Sequence, residues 1–224
     1  MSNPFVSWHC VTFDRPDLLP GLVECFRNQT YPFHFRELVI INDQANITYH
    51  CEDENVHVFN IKERFKSLGA KRNFAMDQCK GEFVLITDDD DIYLPNHTEH
   101  LVTVHQKTTA DIVRDKFCFD ETTDAWVERR WGLNQSSLRK TFVDENKFNE
   151  TYNAGEDVDL IKRGMVYINE NTPTESTCIR KLEDGMYHMS CHDDDIYKNK
   201  KKQQKLFERT IRHQRYKEKL DVIL

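Results

Sequence analysis

The sequence contains no apolar run that approaches the roughly 20 residues needed to cross a bilayer. Its first residues do not form a basic region followed by an apolar stretch, which is what a secretory signal requires. The formal net charge of -7 excludes a generic polyanion-binding protein, because such proteins carry an excess of basic residues. We therefore expect a cytoplasmic protein without a transmembrane segment.

Paired cysteines are also missing. The 7 cysteines are an odd number and none belongs to a Cys-x-x-Cys pair, so they favour reduced thiols over disulfides, zinc binding or redox chemistry. There is also no glycine-rich loop that carries a lysine for phosphate binding. The absence of such a loop disfavours a nucleotidyltransferase but does not exclude one.

The first half of the chain alternates strand-like and helix-like segments, as an α/β sheet does. Apolar runs predict strands at 5–12, 37–42, 56–61 and 82–87, and less regular ones at 111–120, 165–169 and 176–181. The length of 224 residues suits one large domain, which we place at residues 1–197, followed by a basic and helical tail at 198–224.

Helices are predicted between these strands. The first begins at Pro16-Asp17, and the second spans 67–79 with Gly81 as its C-cap. The third begins at the segment Leu94-Pro95-Asn96, with proline in its first turn, and runs to 105. A short helix at 158–163 follows later in the chain. Helices that alternate with strands predict a sheet covered by helices.

Four consecutive carboxylates, Asp88 to Asp91, follow the predicted strand at 82–87. So much negative charge at a strand end is costly unless a positive charge compensates it. A divalent metal is the simplest explanation, because hard cations prefer carboxylate oxygens and can bind a phosphate-bearing substrate. The alternatives are a solvated acidic turn and a calcium loop. The calcium loop is disfavoured, because Tyr93 stands where an EF-hand needs glycine.

Polar residues also follow the first two predicted strands, as Thr12-Phe13-Asp14 and Asn42-Asp43. Ligands of open α/β sheets bind beyond the carboxyl ends of the strands. We therefore expect these residues to meet the acidic run at one edge of the sheet. The pattern predicts a nucleotide-handling site there.

Five motifs occur in an order typical of one enzyme family. They are Val11-Thr12-Phe13-Asp14-Arg15-Pro16, Asn42-Asp43, Gly69-Ala70-Lys71-Arg72-Asn73, the acidic run with Leu94-Pro95, and Gly155-Glu156-Asp157. Over roughly the first two thirds of the chain, this order resembles family 2 of the GT-A glycosyltransferases, although Asn42 departs from the family's usual aspartate. The resemblance implies an α/β, Rossmann-like nucleotide-diphospho-sugar transferase fold with a mixed, mainly parallel central sheet flanked by helices.

The resemblance implies a metal site in the acidic run. Asp88 and Asp90 match the family's Asp-x-Asp carboxylates, which would hold Mn²⁺ or Mg²⁺, with Asp90 in direct contact and Asp89 between them on the donor side. A late histidine often completes the metal site of GT-A enzymes, and His188 and His192 lie in the expected region. A single histidine is more often structural than a ligand, so that alternative stays open for each.

The resemblance also implies a donor site. Members of the family contact the nucleotide base at the positions of Thr12, Phe13 and Asp43, with the aromatic ring stacked on the base. Lys71 and Arg72 would add hydrogen-bond donors to the base or the diphosphate. Each residue has an ordinary alternative, since Phe13 suits a core and the two basic residues suit the solvated face of a helix.

The catalytic residues implied by the resemblance are Asp157 and Glu156. Asp157 would be the general base that accepts the acceptor hydroxyl proton, while Glu156 would orient the acceptor. Direct displacement of this kind inverts the anomeric configuration. Without the resemblance, two carboxylates at the start of a helix are explained by the helix dipole alone.

The acceptor is indicated only by the basic residues that predominate between Lys198 and Lys219. They suit an anionic membrane surface or the phosphates of nucleic acid. Some viral enzymes that resemble the family glycosylate hydroxymethylated bases in DNA, so DNA is one candidate acceptor and cell-envelope saccharide is its rival.

The sequence thus predicts a metal-dependent, inverting glycosyltransferase that moves one sugar from a nucleoside diphosphate sugar, expected to be UDP-linked, to an acceptor hydroxyl. Two other classes remain open. A nucleotidyltransferase would release pyrophosphate instead of a nucleoside diphosphate. A non-catalytic binding module would use the acidic run for a structural ion.

Overall fold

The computed structural model describes residues 3–120, 125–128, 132–170 and 178–180. A 7-stranded sheet forms its centre, in the order β10-β6-β9-β4-β1-β2-β3. The strands of this sheet are β1 (Val6–Thr12), β2 (Arg36–Asn42), β3 (Val56–Asn60), β4 (Phe83–Thr87), β6 (Ile112–Asp115), β9 (Ser136–Arg139) and β10 (Val166–Asn169). Each strand runs parallel to its neighbours except β9, which is antiparallel to β4 and β6. The predicted mixed, mainly parallel sheet is confirmed.

A second, 4-stranded sheet has the order β5-β11-β7-β8. Its strands are β5 (Ile92–Tyr93), β7 (Phe117–Asp120), β8 (Ala125–Glu128) and β11 (Cys178–Arg180). The helices are α1 (Leu19–Arg27), α2 (Leu68–Gln78), α3 (His97–Gln106), α4 (Lys140–Glu145) and α5 (Glu156–Ile161), with a 3₁₀ turn at Phe33–Phe35. None of the helices described has the length and apolar character that a membrane crossing needs.

Alternating side chains of the central strands build two cores, one on each face of the sheet. On β1, Trp8 enters one core and Val11 enters the other, as successive side chains of a strand point to opposite faces. Trp8 makes edge contacts with Phe26 of α1 and with Tyr93, at ring centroid distances of 5.6 and 5.1 Å. Because β1 is buried on both faces, its apolar run was readable from the sequence.

The strand register brings the polar strand ends together. Thr12 at the end of β1 pairs with Asn42 at the end of β2, and Asn42 pairs with Asn60 at the end of β3. On the other side of β1, Cys10 pairs with Thr87, the last residue of β4. The residues that follow these strands therefore start from one edge of the sheet, as predicted.

Several predicted element boundaries are wrong. Helix α2 ends before Cys79, whose backbone is extended, so Gly81 is not its C-cap. Instead, a Cβ at Gly81 would lie 2.4 Å from the amide nitrogen of Ser7, so glycine is needed for close strand packing. Helix α3 begins at His97 with Asn96 as its N-cap, which places Pro95 before the helix and not in its first turn.

The second half of the chain differs more from prediction. The strand predicted at 111–120 is two strands, β6 and β7, which belong to different sheets. β5, β8, β9 and α4 were not predicted. The proposed domain boundary at residue 197, and the tail beyond it, lie outside the described residues.

Candidate active site

The acidic run is attached to the end of β1 through Asp89. The Thr12 hydroxyl donates a hydrogen bond to Oδ2 of Asp89 at 2.5 Å, and Nη1 of Arg15 donates to Oδ1 at 2.7 Å. The same Arg15 nitrogen donates to Oδ2 of Asp90 at 3.1 Å. Burial raises the pKa of Asp89, and the positive charge of Arg15 opposes that rise. Thr12 and Asp89, both predicted to bind the donor, thus bind each other.

Arg15 was not predicted as a site residue, although it belongs to the first motif. Arg15 is only 6% exposed and carries the positive charge that the acidic run was expected to need. A usable signal existed, because a basic residue shortly after one strand end faces the carboxylates that follow a neighbouring strand. Part of the compensation therefore comes from the protein itself.

The buried carboxyl group of Asp88 has a strongly shifted pKa. Burial and the neighbouring carboxylate of Asp91 raise the pKa of Asp88 to about 8, although Arg72 opposes the shift. A carboxyl group in this state gains most from a cation that replaces its proton. Its backbone amide donates to the Tyr93 hydroxyl at 2.7 Å, which holds the run against β5.

These residues fit a divalent ion that is shared with a substrate. The perturbed Asp88 and the partly exposed Asp90 offer the oxygen ligands that hard cations prefer. Among the described residues, no three His, Cys, Asp or Glu side chains are grouped so as to hold a metal by themselves. The predicted ligands His188 and His192 lie outside the described residues. Substrate oxygens would have to complete the coordination of such an ion.

Asp91 is held by the segment that precedes β9. Nε2 of Gln135 donates to Oδ2 of Asp91 at 2.8 Å, and Nδ2 of Asn134 lies 3.4 Å from the same oxygen. Gln135 is buried and has a φ of 62°, which a residue with a Cβ rarely adopts. The side-chain donor that binds this carboxylate therefore belongs to a residue with a strained backbone.

The predicted donor residues Asp43 and Lys71 form a buried ion pair. Nζ of Lys71 donates to Oδ1 of Asp43 and also to the backbone oxygen of Thr12, the latter at 2.6 Å. The second carboxylate oxygen of Asp43 accepts from the Phe65 amide at 3.2 Å. Lys71 thus joins α2 to the ends of β1 and β2.

Phe13 lies under a cation. The guanidinium carbon of Arg64 stands 3.7 Å from the centre of the Phe13 ring, within the range of a cation–π contact. Phe13 is only partly buried and follows directly after β1, so the alternative that it is a core residue is not supported. Its ring lies at the sheet edge where a nucleotide base was expected, with the Arg64 guanidinium over it.

Arg72 and Glu156 were assigned to different tasks by the sequence, but they form one ion pair. Nε of Arg72 donates to Oε1 of Glu156 at 2.9 Å, and the two side chains are 5% and 3% exposed. Burial alone would lower the pKa of the Arg72 guanidinium. The carboxylates of Glu156, Asp88 and Asp157 outweigh burial, so the pKa is raised. The arginine therefore acts electrostatically on the acidic run and on both residues that begin α5.

Asp157 is fixed by backbone amides. Its Oδ2 accepts from the amide of Leu133 at 3.3 Å, and its Oδ1 accepts from the amide of Val158 at 2.7 Å. Gly132, with a φ of 102°, lies beside it, and a Cβ there would stand 3.4 Å from Oδ2. The side chain remains partly exposed, as a proton acceptor needs to be.

The chain is similar to known proteins in sequence and in fold. Residues 7–165 match the model of glycosyl transferase family 2. The chain belongs to glycosyltransferase family 2. Over 199 residues it is 25% identical to the poly(ribitol-phosphate) beta-glucosyltransferase of Bacillus spizizenii, a match that covers 80% of this chain and 28% of that protein.

Many solved structures resemble this family 2 chain, and two of them show the likeness. One is S. aureus TarS 1–349 in complex with UDP-GlcNAc, with a TM-score of 0.67 and 16% identity over 87% of this chain and 64% of that one. The other is the mannosyltransferase PcManGT from Pyrobaculum calidifontis in complex with GDP-Man and Mn²⁺, with a TM-score of 0.63 and 15% identity over 84% and 60%. These likenesses confirm the GT-A fold. The chain spans less than two thirds of the length of each of these relatives.

Proposed function

We propose that this chain transfers one sugar from a nucleoside diphosphate sugar to an acceptor hydroxyl, with inversion of the anomeric configuration. The observation that carries the proposal is the acidic run at the edge of the sheet, where Arg15 binds Asp89 and Asp90, and where the charge of Arg72 interacts with those of Asp88, Glu156 and Asp157. Membership of glycosyltransferase family 2 supports sugar transfer as the reaction at this site.

The proposed displacement needs few protein groups. The acceptor oxygen forms a bond to the anomeric carbon, the bond from that carbon to the diphosphate breaks, and its electron pair leaves with the diphosphate. Asp157 accepts the hydroxyl proton of the acceptor. Asp88 and Asp90 would hold Mg²⁺ or Mn²⁺, which supplies stabilisation of the negative charge on the leaving diphosphate.

The donor is proposed to be UDP-linked. S. aureus TarS has been solved with UDP and with UDP-GlcNAc, which supports a uridine nucleotide, whereas PcManGT was solved with GDP-Man. We propose that the base stacks at Phe13, near Thr12 and Asp43. In that case, the Arg64 guanidinium over the Phe13 ring either moves aside or covers the base.

The acceptor is proposed to be a cell-envelope saccharide or polyol phosphate. The relative from Bacillus spizizenii is named for transfer to poly(ribitol phosphate), which supports this class. A second candidate is hydroxymethylated DNA. Its support is the excess of lysine and arginine in residues 198–224, a segment that lies outside the described residues.

The experiment combines labelled UDP-glucose, UDP-GlcNAc and GDP-mannose with poly(ribitol phosphate) and hydroxymethylated DNA, in the presence of Mn²⁺ or Mg²⁺. We expect release of nucleoside diphosphate that depends on the metal ion. The rate of release should fall by about 100-fold or more in Asp90→Ala and in Asp157→Asn, since loss of a general base typically costs about 10²–10⁴ in rate. Lys66→Ala, which breaks only an exposed pair with Glu150, is the control. Release of a sugar 1-phosphate, which attack on the nucleotide's phosphorus would give, would instead indicate a nucleotidyltransferase, and full turnover by both variants would overturn the site assignment.

A further inference from the structure

Helix α2 contacts the chain on both sides of the candidate site. Lys71 joins it to Asp43 and the end of β1, while the next residue, Arg72, joins it to Glu156 of α5. Two adjacent basic residues of one helix therefore connect the donor side of the sheet edge to the element that carries Asp157. Nothing in the sequence pairs these residues, since Arg72 and Glu156 are separated by 84 positions.

The segment that leads into α5 also lies on α2. Asn73 donates through Nδ2 to the backbone oxygen of Phe148 at 3.0 Å and accepts from the Phe148 amide at 2.8 Å. A Cβ at Gly69 would lie 2.1 Å from the backbone oxygen of Asn149, so this approach requires glycine. The Ser67 hydroxyl donates to the backbone oxygen of Glu150 at 2.5 Å. Helix α2 thus sets the path of the chain shortly before α5 begins.

Glu156 is not placed to contact an acceptor. Its side chain is 3% exposed and one oxygen accepts from Arg72, whereas Asp157 is partly exposed. Within the part of the chain that the structure describes, Nη1 of Arg72 is buried and makes no hydrogen bond. The pair is therefore buried between α2 and α5, and of the two carboxylates that begin α5 only Asp157 is open to solvent.

We propose that Glu156 is a positioning residue that acts through Arg72: the pair fixes the first turn of α5 on α2 and so holds Asp157 at the acidic run. This inference replaces the expected role of Glu156 in orienting the acceptor. It rests on the proposed function insofar as Asp157 is the base.

The kinetic test uses Glu156→Gln, Arg72→Lys and the double variant. We expect each single change to lower kcat about tenfold while the acceptor KM stays within twofold, and the double variant to lose no more than the worse single one, because both act through one contact. Asp159→Asn, a change on α5 that breaks an exposed pair with Arg163 beyond the end of the helix, is the control. A tenfold rise in acceptor KM in Glu156→Gln, or losses that multiply in the double variant, would overturn the proposal.

A second measurement does not depend on activity. Hydrogen–deuterium exchange of a peptide covering residues 156–163 is expected to be about tenfold faster in Glu156→Gln and in Arg72→Lys than in the unchanged protein, with no change in a peptide from α3. Asp159→Asn is expected to leave the exchange of α5 close to that of the unchanged protein. If exchange at α5 is unchanged in both Glu156→Gln and Arg72→Lys, the positioning role is wrong. If the unchanged protein transfers no sugar but this exchange pattern holds, the proposed function fails and the contact between α2 and α5 stands.

Discussion

The guanidinium of Arg15 donates to the carboxylate of Asp89 at 2.7 Å, with both side chains buried. Breaking a buried pair from one side leaves an uncompensated charge, so we expect Arg15→Gln to lower the free energy of unfolding by about 3–5 kcal/mol. Urea denaturation measures the change. Arg27→Gln removes an exposed pair with Asp53 and is expected to leave the midpoint unchanged. Equal losses in both variants would contradict the finding that Arg15 compensates the run.

The ion pair between Lys71 and Asp43 allows a sharper comparison, because the two side chains are 1% and 0% exposed. Lys71→Met leaves the Asp43 carboxylate buried without its cation, and we expect a loss of about 3–5 kcal/mol in the free energy of unfolding. The double variant Lys71→Met/Asp43→Leu removes both charges and is expected to be more stable than Lys71→Met. If the loss of stability in the double variant equals the sum of the losses in Lys71→Met and Asp43→Leu, the ion pair is not the source of the effect.

The parts of the fold that were predictable from sequence are those with a strong local pattern. β1, β2 and β4 are apolar runs buried on both faces, and the acidic run follows the last of them. β9 was missed because Ser136 and Ser137 give it no apolar run, although both are fully buried between β4 and β6. Its place comes from pairing with two distant strands, which no local pattern of four residues encodes.

The candidate site divides in the same way. Asp88, Asp90 and Asp157 were chosen because their motifs are local. The contacts that organise them are not local, as when Leu133 donates to Asp157, 24 positions away. The sequence assigned Arg72 to the donor and Glu156 to the acceptor. Such separate assignments could not reveal that these two residues bind each other. The structure adds the pairing between Arg72 and Glu156, and that pairing is the basis of the positioning role proposed for Glu156.

Gly132 gives a prediction about Asp157, the proposed general base. Its φ of 102° disfavours any residue with a Cβ, and an added Cβ would lie 3.4 Å from Oδ2 of Asp157. We expect Gly132→Ala to lower the free energy of unfolding by about 1–3 kcal/mol, the usual cost of a strained backbone. We also expect a lower kcat, because the amide of Leu133 that binds Asp157 moves. Urea denaturation and initial rates measure the two effects, and an unchanged kcat would show that this amide does not position Asp157.

Stability is expected to depend on the protonation of two buried histidines. Burial lowers the pKa of His9 from 6.5 to about 3 and that of His105 from 6.5 to about 4. Between these values and pH 6.5 the unfolded chain binds protons that the folded chain does not. The contribution of these two histidines to stability is therefore fully present above pH 6.5 and is lost as the pH decreases below it. Each histidine contributes a slope of up to about 1.4 kcal/mol per pH unit.

The variant His105→Gln isolates one of these contributions. Asp88 acts in the opposite sense, because its pKa is raised from 3.8 to about 8 and the folded state keeps a proton that the unfolded state releases. That effect is common to both proteins and cancels in their difference. We therefore expect unfolding free energies, measured in urea from pH 5 to 7, to fall less steeply toward acid in the variant than in the unchanged protein, by up to about 1.4 kcal/mol per pH unit. Parallel curves would mean that His105 binds a proton as readily in the folded state as in the unfolded state, contrary to its burial against Phe83 and its contact with the backbone oxygen of Ser137.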